Sequence, residues 1–154
     1  MKIDSVTVSH RTKSFTISYK GKKMNFPFAK LNVRPRNREK IVKLYIDPET
    51  ANEWFTYQLS SGREGSVPLD AVLEYNKDPE YIRKMTLFRM TVMALDALKK
   101  SGLSKRELSR RLKTSPSQIY RLLDTTNYKK SVDEMVKLLA VLSIDLAILL
   151  KKAA

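Results

Sequence analysis

The hydrophobic period of this chain changes once, near Glu80, and that change limits what the chain can fold into. Before it, apolar residues recur at every second position. Val6 and Val8 alternate with Thr7 and Ser9, and Phe15, Ile17 and Tyr19 alternate with Thr16 and Ser18, the pattern of strands with one buried face. Gly21-Lys22 suits a turn, after which residues 23–28, 42–46 and the aromatic-rich 53–59 are expected to form three further strands. Asp47-Pro48 and Ser60-Ser61-Gly62 punctuate these runs, and residues 67–73 are expected to close the half with a strand end and a short helix. After Glu80, Tyr81, Met85, Phe88, Val92 and Leu95 recur at steps of four and three, which predicts one face of a long helix. Gly102 stops that helix, because glycine accepts left-handed backbone geometry at low steric cost. The expected fold class is α+β, with a β-rich module over 1–79 and a helical domain over 80–154, joined at the polar stretch 76–80.

Three helix starts in the second half share one chemistry. Ser104 with Glu107, Ser115 with Gln118 and Ser131 with Glu134 each place a hydroxyl three residues before a side chain that can cap reciprocally. Pro116 falls at a first helical position, where its fixed φ fits and its missing N–H leaves no bond unmade. Leu103, Leu108 and Leu112, then Ile119, Leu122 and Leu123, then Met135, Leu138, Leu139 and Leu142 supply the apolar faces, and a last amphipathic turn is expected over 146–150.

Composition narrows the chemistry. There is no cysteine and one histidine, His10, so thiol nucleophiles, cysteine-held metals and polyhistidine sites are excluded, and His10 alone is expected to do nothing chemical. Residues 47–80 hold eight carboxylates and two basic residues without a local ligand motif, so a solvated surface is favoured over metal or acid–base work. The expectation is a non-enzyme without cofactor or metal. No run approaches the roughly 20 apolar residues of a membrane span, and no signal-like block opens the chain, so a cytoplasmic protein with no membrane partner is expected.

The net charge of +14 attracts polyanions, and its placement is uneven. Residues 81–154 carry +10 and residues 1–80 carry +4. Ten basic residues lie within 99–130, against only Glu107 and Asp124, too few acids to pair them along the helices. Two short capped helices, 104–112 and 115–124, separated by a brief turn make a helix-turn-helix layout, in which the second helix presents its leading residues to the major groove. Ser115, Pro116, Ser117, Gln118 and Arg121 are then the candidate base readers. Ser104, Lys105, Arg106, Lys113, Lys129 and Lys130 are the candidate phosphate contacts.

Residues 102–112, Gly-Leu-Ser-Lys-Arg-Glu-Leu-Ser-Arg-Arg-Leu, resemble the opening of the lambda-repressor/Cro type helix-turn-helix domain. Residues 114–124 resemble its recognition helix and 131–150 its last two helices, so the likeness spans roughly 85–150. It implies a five-helix DNA-binding domain that acts as a homodimer on a two-fold operator of double-stranded DNA and regulates transcription, with repression expected. The sequence departs from the family pattern at Lys105, where glutamine is common, at Lys113-Thr114, which lacks the turn glycine, and at Thr125-Thr126, where Asn-Gly is common. The first half weakly resembles a small bacterial domain of unknown function built of curled strands, through Ile46-Asp47-Pro48-Glu49 and Gly65 with residues 68–73. That likeness implies a partner-binding or dimerisation role.

Several residues carry two readings. Gln118 can close a capping box or read adenine, and Arg121, which lacks an acid at helical spacing, is favoured for guanine or phosphate. Pro116 is structural first. Trp54, Phe55 and Tyr57 favour strand core over a base-stacking surface. Residues 34–38, Arg-Pro-Arg-Asn-Arg, are equally an arm for a minor groove and a solvated loop. The alternative function is antitoxin-like, the β module neutralising a toxin protein while the helical domain represses their shared operon.

Overall fold

The computed structural model describes residues 1–147 and shows a mixed α+β chain with two small antiparallel sheets and five α-helices among those residues. The chain divides into two compact units, Met1–Tyr81 and residue 82 onward. Each unit has its own hydrophobic core.

In the first unit, β1 (Ser5–Ser9), β2 (Ser14–Tyr19) and β3 (Lys22–Pro27) form one antiparallel meander. A second meander holds β4 (Ile41–Asp47), β5 (Trp54–Leu59) and β6 (Glu64–Pro68). Short 3-10 turns, Phe28–Lys30 and Pro48–Thr50, follow β3 and β4. The sheets share a core in which the Phe15 ring lies 4.9 Å from Phe55, 5.4 Å from Tyr57 and 5.2 Å from Phe28. The helix α1 (Leu69–Tyr75) adds buried Leu69, Val72 and Leu73. The period-two reading thus recovers five strands. It misses most of β6, whose opening Glu64-Gly65-Ser66 has weak strand preference and is held by pairing with Gln58, Tyr57 and Thr56. Val42 sits where the β4–β5 register shifts and is 63% exposed, because a bulge turns its side chain out of the alternation.

The second unit contains α2 (Pro79–Ser101), whose first turn begins in the first unit, then α3 (Lys105–Arg111), α4 (Pro116–Leu123) and α5 (Val132–Val141). The buried face of α2 differs from the expected one. Leu87, Met90, Thr91, Ala94, Ala97 and Leu98 are buried, whereas Val92 and Leu95 are exposed and Tyr81, Met85 and Phe88 are half-buried. The helix carries two apolar stripes, and the one containing Ala94 and Ala97 is the one the core covers. Gly102 takes φ +68°, as its capping role requires. Leu146 and Ala147 are not helical, and the rest of the expected final turn over 146–150 lies outside the described residues, so four α-helices are seen from Pro79 to Ala147 where five were expected.

Candidate nucleic-acid interface

The turn between α3 and α4 fixes how the two helices meet. Ser109 is buried, its carbonyl accepts the Thr114 N–H at 3.1 Å, and its hydroxyl donates to the Thr114 carbonyl at 2.5 Å. The Lys113 N–H donates to the Arg110 carbonyl at 3.2 Å, which completes a Schellman closure with Lys113 at φ +52°. A lysine therefore holds a left-handed position that glycine would hold without strain, at a cost of about 1 kcal/mol or somewhat more.

Both helices start on a serine. The Glu107 N–H donates to Ser104 Oγ at 3.1 Å and the Gln118 N–H to Ser115 Oγ at 3.3 Å. Neither box closes reciprocally. Glu107 instead accepts from Arg110 at 2.7 Å and Arg111 at 3.0 Å, and the Arg110 hydrogen bond, followed by that of Arg111, holds its carboxyl down at about 2. The reciprocal box forms at Ser131 and Glu134.

On α4, Ile119, Leu122 and Leu123 face the core, while Ser115, Pro116, Ser117 and Gln118 are exposed. Their exposure leaves the leading edge of α4 open. Tyr120 belongs with them: it is 59% exposed, and the Lys105 ammonium lies 4.3 Å from its ring centroid. This contact joins the start of α3 to the middle of α4. Sequence reasoning passed over Tyr120, although its position three residues after Ser117 and four after Pro116 places it on their face.

One expected role and one premise are overturned. Lys130 is 2% exposed, and its ammonium donates to the Leu122 carbonyl at 2.8 Å and the Asp124 carbonyl at 2.7 Å. It caps the end of α4 and cannot clamp a phosphate. Burial pushes its pKa down, opposed by the charge of nearby Asp124. Arg121 does have an acid, supplied by α5: its guanidinium donates to Glu134 and, through Nε, to Gln118 Oε1. Glu134 is held below the usual carboxylate range first by the Ser131 backbone N–H, with Arg121 contributing. Gln118 therefore neither closes the capping box nor stands alone, and its amide N–H groups and second Oε1 lone pair remain available.

The other basic candidates keep their charge outward. Lys105, Arg106, Lys113 and Lys129 are exposed, and among the described residues none forms an ion pair.

The residues singled out in the first unit separate. Phe55 and Tyr57 are buried and Trp54 is 40% exposed, so the strand-core reading holds for two of the three. Residues 34–38 are a loop tied at several points, bordering a cleft. His10 has a structural use, its Nε2 accepting the Ile41 N–H at 3.1 Å. Among the described residues no group of three or more His, Asp or Glu is placed to hold a metal, and no helix is long and apolar enough to cross a membrane. Comparison of the chain with protein-family models, with curated proteins and with solved structures returned no match.

Proposed function

We propose that the chain is a sequence-specific double-stranded DNA-binding regulator of transcription that represses by occluding a promoter. The observation that carries this reading is the open leading edge of α4, with Ser117, Gln118 and Tyr120 exposed beside the unpaired cations Lys105, Arg106, Lys113 and Lys129. An edge of this kind fits a major groove, where amide and hydroxyl groups distinguish base pairs, while the flanking cations release counterions from phosphates. Arg121 positions Gln118 through Nε and is itself steadied by Glu134. The regulator acts as a homodimer. Exposed Val92 and Leu95, three apart on one face of α2, offer an apolar surface suited to pairing two copies.

Selection of binding sites from random duplex DNA by the full chain at near-physiological salt tests the proposal. A two-fold consensus with half-site centres about 34 Å apart, one turn of duplex, is expected. Recovery of sequences no different from the starting pool overturns it.

A further inference from the structure

The first unit contains a cleft of about 760 Å³ between the β1–β2 turn and the loop leading to β4. Its size is that of a small-molecule site. Lys13, Arg34, Arg36, Arg38 and Lys40 line it, with Glu39 as the one carboxylate of the wall; the half-buried Pro27 and Pro35 supply apolar surface, with the buried Phe28 behind them. Glu39 does not neutralise these cations. It accepts from the Arg63 guanidinium and from the Arg36 backbone N–H, so its charge is matched by an arginine that is not among the lining residues. Among the described residues Lys13, Arg36, Arg38 and Lys40 form no ion pair.

Both walls are held in place before any ligand arrives. Arg63 also donates to the Arg34 carbonyl at 3.0 Å, the Lys40 N–H donates to Ser60 Oγ at 3.1 Å, and the Phe28 N–H donates to the Lys13 carbonyl at 2.8 Å. Lys13 at φ +48° and Arg38 at φ +64° occupy left-handed positions that glycine would fill at lower cost, and each carries a cation there instead. Uncompensated like charges around a concavity repel one another until an anion enters.

We propose that this cleft binds a nucleotide through an oligophosphate group, the cations holding the phosphates and the partly exposed Pro27 and Pro35 receiving the planar base. Arginine forks suit phosphate oxygens, and a ligand with three or four negative charges matches the number of free cations. A free nucleoside triphosphate has this chemistry, whereas a single strand spaces its phosphates along sugars. The proposal is independent of duplex recognition by the second unit.

Isothermal titration of the full chain at near-physiological salt, with adenosine triphosphate, inorganic tripolyphosphate and a four-residue single-stranded oligonucleotide as separate probes, tests the site. Saturable 1:1 binding of the triphosphate is expected, several-fold tighter than tripolyphosphate. A strand carries isolated phosphodiesters and no oligophosphate, so tighter binding of the oligonucleotide than of the triphosphate would overturn the assignment. The double variant Arg36→Ala/Arg38→Ala is expected to weaken binding at least tenfold with an unchanged melting curve, both side chains being exposed. Lys105→Ala/Arg106→Ala, in the other unit, is expected to leave it unchanged. Absence of saturable binding, equal losses in the two double variants, equal affinity for tripolyphosphate, or stronger competition by a glutamate-rich peptide than by the triphosphate would each overturn the assignment.

Discussion

The 34–40 loop of the first unit and the 104–130 stretch of the second are both dense in arginine and lysine, but the two folds use the charge differently. In the loop, Arg34, Arg36, Arg38 and Lys40 border a concavity, and the neutralising contact goes to Glu39 from Arg63. In the helical stretch the charge lies along two helices and much of it is engaged within the protein. Arg110 and Arg111 share Glu107, Arg121 bonds Glu134, and Lys130 caps carbonyls. Adjacent lysines show the contrast most sharply: Lys129 is exposed, Lys130 is buried. Formal charge therefore overstates what a ligand can meet in the helical stretch and describes it well in the loop.

The largest effect that sharpens this contrast is on stability. Lys130→Ala leaves the Leu122 and Asp124 carbonyls without their ammonium donor and removes a buried alkyl stem, so the second unit is expected to lose about 3 kcal/mol in denaturant unfolding. Lys129→Ala is expected to stay within about 0.5 kcal/mol of the parent. Equal losses would erase the distinction between the two lysines.

An intermediate effect is expected in the first unit. A Cβ at Gly65 would lie 2.3 Å from the Tyr57 hydroxyl and 2.6 Å from Cζ, and that hydroxyl donates to the Val33 carbonyl at 2.7 Å, next to the basic loop. Gly65→Ala is expected to destabilise by about 1–3 kcal/mol and to loosen residues 33–40, read as faster amide exchange there. Unchanged exchange would separate Tyr57 from the loop.

The smallest effect concerns acid. Glu39, through the Arg63 hydrogen bond, and Glu107, through that of Arg110, are each lowered from 4.5 to about 2. Folded-state values below the unfolded ones mean stability that is present above about pH 4.5 and lost as pH falls toward 2. Glu39→Gln is expected to flatten the acid dependence of the first unit and Glu107→Gln that of the second. Both carboxylates are only partly buried, so the changes are modest and shrink with salt. An acid profile unaltered in both variants would contradict the pairing.

Local rules carried far in this sequence. Alternation located the strands from Val6 to Leu59, serine spacing located three helix starts, and Gly102 located the end of α2. Partners distant in the chain were beyond those rules. Arg121 lacked an acid on its own helix, and Glu134 reaches it from thirteen residues away. Lys130 looked like its neighbour until the end of α4 turned two carbonyls toward it. For α2, periodicity shows that a helix has an apolar face, and packing decides which of its two stripes is covered. The basic cleft depends on the β1–β2 turn meeting a loop some twenty residues later, a contact no local pattern announces.

The leading edge of α4 carries the proposed reading of DNA. Fluorescence anisotropy of the full chain against its selected duplex and a scrambled duplex, with Gln118→Ala beside the parent, tests it most directly. The account predicts a loss of about 1–3 kcal/mol on the selected duplex and almost none on the scrambled one. Equal losses on both duplexes, or none on either, would contradict it.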